Sequence, residues 1–167
     1  MEDDAASLQS RFEAALDRLI PGFASGDQRL GLAVSGGPDS LALLLLASQS
    51  CPDLKPLVPI RGSIQSAARR ARYGLLHDWM KEEDIQWLAT AHHADDQLET
   101  MIMRILRGSG IDGMSGIRET RGNIIRPLLH FQKAELQSHV ASQGIEAVDD
   151  PSNRDQGFDR VRVRKAL

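Results

Sequence analysis

Ser35-Gly36-Gly37-Pro38-Asp39-Ser40 follows a short apolar run at 30–34 and opens onto a second apolar run at 41–47. That order reads as buried strand, tight glycine turn and helix N-terminus. Such a junction aims several backbone N–H groups and the positive end of a helix dipole at one place, which suits a phosphate. Adjacent glycines let the backbone turn sharply and approach a ligand closely. Ser35 and Ser40 add hydroxyls, and Asp39 makes sense beside an anion when a cation lies between them. The loop is neither of the two commoner nucleotide loops. No lysine follows the glycines as in G-x-x-x-x-G-K-[ST], and the loop itself lacks the G-x-G-x-x-G spacing. By itself the hexapeptide leaves open an ordinary βα turn with a Ser or Asp cap.

Outward from this loop, Leu8, Phe12, Ala15, Leu16 and Leu19 share one face at helical spacing, with Ser7 placed to cap the helix and Pro21-Gly22 to end it. The crossover helix after the loop runs from Ser40 to about Ser48. Pro52, Pro56 and Pro59 then crowd the chain, so the apolar residues at 57–60 read as an edge strand or a loop. A helix is predicted from Ser63 to about Glu83, with Ile64, Ala67, Ala68, Ala71, Leu75 and Trp79 as its inner stripe. A second strand follows at 85–90, then a polar loop and a helix from Asp95 to Arg107. Residues 117–119 and 123–126 suggest a small hairpin around Thr120-Arg121-Gly122, and a last helix spans Gln132 to Ser142, closed by Gly144. Strands alternating with helices indicate an α/β fold with a parallel sheet flanked by helices. Ligands of such sheets bind beyond the strand C-termini. Both unusual loops, after Val34 and after Thr90, lie there.

The 167 residues indicate a single domain, with residues 1–29 as an N-terminal helix and lead-in and 145–167 as an irregular, arginine-rich tail. No apolar run is long enough to cross a bilayer, the acidic N-terminus lacks the pattern of a signal peptide, and a single cysteine, Cys51, precludes an internal disulfide. These features predict a cytoplasmic protein with no membrane partner. The net charge of −3 hides an uneven distribution, because arginine outnumbers lysine four to one and clusters at Arg69, Arg70 and Arg72, at Arg104 and Arg107, and at Arg160, Arg162 and Arg164. Clustered guanidinium forks suit phosphates or RNA, and solvated helix faces are the plainer alternative.

His92, His93, Asp95, Asp96 and Glu99 form a dense polar group at the mouth of the second strand. Hard cations take carboxylate and phosphate oxygens, so a magnesium site is one reading. Histidine as a general acid/base or as a donor to a transferring phosphate is another. An Asp cap with acidic residues in the first helical turn accounts for Asp95 and Glu99 but not for adjacent histidines.

Taken together, these stretches resemble a known family. Ser35 to Ser40 is similar to the PP-loop of the N-type ATP pyrophosphatases. The run Ala91-His92-His93-Ala94-Asp95-Asp96-Gln97-Leu98-Glu99-Thr100 resembles a motif of one branch, the tRNA(Ile)-lysidine synthetases, as do Ala68-Arg69-Arg70-Ala71-Arg72-Tyr73, the stretch from Leu106 to Gly113, Arg126-Pro127-Leu128-Leu129 and Asp150-Pro151-Ser152-Asn153. The resemblance implies an adenine nucleotide alpha hydrolase-like, Rossmann-type fold. It implies ATP and Mg2+ as cofactors, with Ser35, Gly36, Gly37, Pro38, Asp39 and Ser40 holding the nucleotide and Asp39 and Asp96 the metal. His92 is expected to position phosphate or base, and Arg162 and Arg164 to stabilise charge or contact RNA. The implied reaction adenylates C2 of the wobble cytidine of a tRNA(Ile) with CAU anticodon, releasing pyrophosphate. The ε-amine of free L-lysine then displaces AMP to give lysidine. A homodimer is also in keeping with the resemblance. Thiolation, a rival reaction on the same loop, relies in one branch on paired cysteines, which this sequence lacks.

Two departures from the family stand out. A strand-helix unit with a His-Gly-Leu-Arg-like motif is missing between the loop's helix and the Ala68-to-Tyr73 segment. Val161 stands where the family has asparagine, and the C-terminal tRNA-binding domains have no counterpart in the sequence. A non-catalytic remnant that binds ATP or RNA weakly, or another PP-loop tRNA-modifying ligase, are therefore the alternatives.

Overall fold

The computed structural model describes residues 7–23, 28–50, 66–106, 108 and 116–147, with side chains of the third helix described from residue 74 onward. Helix α1 (Leu8–Leu19) begins where Ser7 Oγ accepts the N–H of Ser10 at 3.1 Å, the side-chain cap expected of serine. Its buried face is Phe12, Ala15, Leu16 and Leu19, as the spacing predicts. Strand β1 (Leu30–Ala33) leads through the glycine loop into α2 (Pro38–Ser50). This helix starts two residues earlier than its apolar content suggests. Proline at the first helical position lacks only an N–H that has no intrahelical acceptor anyway.

Helix α3 (Ser66–Glu82) precedes β2 (Trp87–Thr90), and α4 (Ala94–Leu106) follows it. The inner stripe of α3 differs from the expected one: Leu76 and Met80 are buried, Trp79 is half-buried and Leu75 is 57% exposed. The helix is rotated by one position, so the pair four apart that meets the sheet is Leu76 and Met80. The expected residues at 57–60, the start of this helix at 63–65 and the tail from 148 lie outside the described residues.

The predicted hairpin is present as β3 (Thr120–Arg121) and β4 (Ile124–Ile125), shifted so that Thr120 and Arg121 form a strand rather than the turn. It is also not a separate unit. Strand β4 pairs in parallel with β2, matching Leu88 with Ile124 and Ala89 with Ile125, and so extends the main sheet. The strand order is β1-β2-β4-β3, with β1 and β2 parallel from Leu30↔Trp87 to Ala33↔Thr90. Among the described residues β1 is thus an edge strand.

Each central strand is apolar on both faces, as a parallel sheet covered on two sides requires. Leu32, Ala89 and Ile125 face the larger core with α1, α2 and α5 (Lys133–Ser142), whereas Leu88 and Ile124 face Leu76 and Met80 of α3. Helix α2 is the hub of the larger core, with Ala42, Leu43, Leu46 and Ala47 fully buried and both α1 and α5 packed on it. Burying a leucine side chain stabilises by about 1.5–3 kcal/mol. The helix that carries the glycine loop is therefore among the most firmly held parts of the fold. Arg11 closes this side, pairing with Glu135 at 2.7 Å while its guanidinium lies 4.4 Å above the ring of Phe131. Gly144, with φ of 67°, ends α5 in the left-handed conformation expected of it.

Candidate functional site

The C-terminal ends of β1 and β2 adjoin in the sheet, so the glycine loop after Val34 and the polar loop after Thr90 emerge side by side. The glycine loop is organised by Ser40. Its buried hydroxyl accepts the N–H groups of Ser35 and Gly36 at 3.2 and 3.1 Å and donates to the carbonyl of Gly37 at 2.9 Å. Gly36 holds φ at 89°, a conformation open to glycine at little cost. The first intrahelical bond of α2 runs from Leu41 N–H to Gly37 C=O, which leaves the N–H groups of Asp39 and Ser40 in the unpaired first turn. The Ser40 hydroxyl, read from the sequence as a ligand donor, here serves the loop itself. Ser35 remains exposed at its rim.

The polar loop is tied down at almost every residue. The hydroxyl of Thr90 lies 3.0 Å from His92 Nδ1. Ala94 N–H donates to Phe131 C=O, and Asp95 Oδ2 accepts the N–H of Lys133 at the start of α5. The Gln97 carboxamide pairs with both the N–H and the C=O of Ile117. Asp95, part of the candidate magnesium cluster in the sequence, thus caps a neighbouring helix.

His93 joins the two loops. It is 1% exposed, and its Nε2 lies 3.3 Å from Asp39 Oδ2 and 3.6 Å from Asp96 Oδ2. Its Nδ1 accepts the N–H of Asp96 at 3.4 Å, and its own backbone N–H donates to Asp96 Oδ2 at 3.2 Å. Burial works against the charged imidazole. The hydrogen bond to Asp39 and the fields of Asp96, Asp39 and Asp95 outweigh it and raise the His93 pKa above the ordinary histidine value. The sequence pairs Asp39 with Asp96 and expects His92, whose Nδ1 lies by the Thr90 hydroxyl, to position phosphate or base. The residue between the two carboxylates is His93, and adjacency alone could not show which histidine turns inward.

Asp39 Oδ2 and Asp96 Oδ2 both approach Nε2 of His93. Asp39 Oδ1 is buried without a hydrogen-bond partner, an orphaned carboxylate oxygen that a cation would satisfy. No group of three or more His, Cys, Asp or Glu side chains among the described residues is arranged to hold a metal ion by itself. Magnesium characteristically takes one or two carboxylates and completes its shell with water and substrate phosphates, so the donor set fits it. Arg162 and Arg164 lie outside the described residues.

The profile of the PP-loop domain matches residues 51–167. The chain belongs to the PP-loop family. It is 36% identical to the tRNA(Ile)-lysidine synthase of Novosphingobium aromaticivorans over 207 aligned positions, covering 99% of this chain and 62% of that protein. It is 34% identical to the tRNA(Ile)-lysidine synthase of Zymomonas mobilis over 199 positions, covering 93% and 60%. The chain therefore spans about three fifths of the length of these relatives. Among solved structures, the U34-tRNA thiolase NcsA from Methanococcus maripaludis superposes with a TM-score of 0.69 over 93% of this chain and 70% of that one, at 13% identity. That likeness places the PP-loop chain in the α/β fold expected from its sequence, with helices on both faces of a mostly parallel sheet.

An alignment of 207 positions that uses 99% of a 167-residue chain leaves about 40 positions of the relative without a counterpart here. The Zymomonas alignment has a surplus of similar size. About 40 residues is the size of a strand-helix unit. Among the described residues β1 has one strand neighbour, β2.

Proposed function

We propose that this PP-loop chain carries the nucleotide-activating site of a tRNA(Ile)-lysidine synthase. The reaction transfers the adenylyl group of ATP to the C2 oxygen of the wobble cytidine in an isoleucine tRNA with CAU anticodon, and pyrophosphate leaves. The ε-amine of free lysine then attacks C2, and AMP departs with the oxygen. The observation that carries the reading is the convergence of Asp39, from the glycine loop, and Asp96, from the histidine-containing loop, on the same buried nitrogen of His93.

In this reading the first turn of α2 and the glycine loop hold the phosphates through backbone N–H groups. Asp39 and Asp96 hold magnesium, which when bound offsets charge building on the leaving pyrophosphate. His92, held through Nδ1 by Thr90, orients phosphate or base. Arg162 and Arg164 supply positive charge toward the phosphates or the tRNA. The cytoplasm is where tRNA, ATP and lysine meet, and among the described residues no helix is long and apolar enough to cross a membrane.

The test is to incubate the chain with ATP, Mg2+, lysine and a tRNA(Ile) transcript while following pyrophosphate release and lysine incorporation. Both signals, each dependent on the tRNA, are the expected result. Pyrophosphate release without lysine incorporation confines the reading to its nucleotide half. A chain that binds ATP and yields neither signal overturns it. That last outcome is what a second reading, a nucleotide-binding remnant, expects, and the roughly 40 missing positions favour it.

A further inference from the structure

We propose that His93 is a positioning residue that sets the orientation of Asp39, its Nε2–H holding Oδ2 so that Oδ1 is left as the oxygen for a phosphate-bound cation. The inference rests on the reading of the glycine loop as a nucleotide site. It does not require that the bound nucleotide react.

The geometry makes His93 a two-sided clamp. Its backbone N–H holds Asp96 Oδ2 at 3.2 Å, while the ring reaches across to Asp39 on a different helix at 3.3 Å. The N–H of Asp96 points at Nδ1, which makes that nitrogen the acceptor and leaves the proton on Nε2. Nε2–H then has Asp39 Oδ2 as its nearest carboxylate oxygen, with Asp96 Oδ2 slightly farther at 3.6 Å. The other Asp39 oxygen, Oδ1, is buried and unpartnered. Burial without a partner is costly for a carboxylate oxygen. A short side chain of this kind keeps such an orientation only if something fixes its first oxygen, and His93 is what touches it. At 1% exposure the imidazole is also held by packing, with Asp39 Oδ2 the carboxylate oxygen nearest Nε2 and Asp95 Oδ2 3.6 Å from Nδ1.

Glutamine and asparagine separate this role from packing. The terminal amide nitrogen of glutamine falls near the Nε2 position of histidine, and that of asparagine near Nδ1. His93→Gln keeps a donor toward Asp39, and His93→Asn does not. ATP affinity is measured by calorimetry in Mg2+ and in EDTA for the wild type and both variants, with urea unfolding as the control for folding. The wild type is expected to bind ATP more tightly in Mg2+ than in EDTA. His93→Gln should keep that advantage to within about threefold. His93→Asn should lose roughly tenfold in Mg2+, the worth of one charge-assisted hydrogen bond, and nothing in EDTA. Equal losses in both variants, equal retention, or no magnesium advantage in the wild type would each overturn the proposal.

A measurement on the wild type covers variants that fail to fold. Nitrogen-15 spectra of the imidazole should show a proton on Nε2 whose resonance moves in Asp39→Asn, and a proton confined to Nδ1 would overturn the assignment. A chain that shows the magnesium advantage and the Nε2 proton but releases no pyrophosphate would defeat the proposed reaction and leave the role of His93 standing.

Discussion

Trp79 of α3 lies directly over Gly31 of β1, so close that a Cβ at residue 31 would come within 2.8 Å of Cζ3 and 3.0 Å of Cη2 of the indole. The strand that feeds the glycine loop is glycine at this point because a ring occupies the space a side chain would need. Gly31→Ala should destabilise the fold by about 1–3 kcal/mol, the usual cost of overpacking a core. Urea unfolding measures it, and an unchanged midpoint would mean that Trp79 can swing aside.

Ser40 gives a prediction about the loop itself. Its hydroxyl is the acceptor for two backbone N–H groups and the donor to one carbonyl. Ser40→Ala removes these three bonds and the one accepted from the Ser35 hydroxyl, at a buried position, and should cost about 1–3 kcal/mol. ATP affinity should fall with it, because the N–H groups of Ser35 and Gly36 lose the atom that makes them converge. A variant with wild-type stability and affinity would show that the backbone holds this shape unaided.

Asp39→Asn keeps the shape of the side chain and an oxygen for His93 but removes the charge. Pyrophosphate release in the tRNA assay should fall a hundredfold or more, since a metal's share of charge stabilisation is on the order of several kcal/mol. ATP binding in EDTA should be unaffected. Normal lysidine formation by this variant would remove Asp39 from the metal site.

Acid should loosen the contact between α1 and α5. Desolvation raises the pKa of Glu135, but the hydrogen bonds from Arg11 and from the backbone N–H of Gln132 outweigh it and leave the group below its ordinary value. A carboxylate depressed in the folded state stabilises fully above its unfolded pKa of about 4.3, and that contribution is lost as pH falls through the folded value. The stability gap between wild type and Glu135→Gln should therefore be constant above about pH 5.5 and close as pH drops below 4. A gap independent of pH would show that the charge of Glu135 is not its source.

The α/β layering and both loops were legible in the sequence because they rest on strong local signals: a glycine pair after an apolar run, and two histidines and two aspartates after another. The helix caps at Ser7 and Gly144 were legible for the same reason. The rotation of α3 was not, because Leu75 and Leu76 are adjacent leucines and only the sheet decides which of them turns inward. The fate of the hairpin was hidden too. Two-residue strands have no periodicity of their own, and β4 joins the sheet through pairing with β2, which is distant in sequence. The role of His93 needed the structure, since nothing local tells it from His92. The partner of Asp95, the N–H of Lys133, was hidden because it lies far along the chain.

Among the described residues β1 lies at the margin of the sheet, which bears on how the molecule breathes. Strands paired on one side open in sub-global fluctuations well short of complete unfolding, and this one carries the glycine loop at its end. Amide protons of residues 30–33 should then exchange with solvent sooner than those of β2. Bound nucleotide would slow that exchange in proportion to its occupancy. Ligand affinity and the local opening free energy of the first strand become two readings of the same quantity.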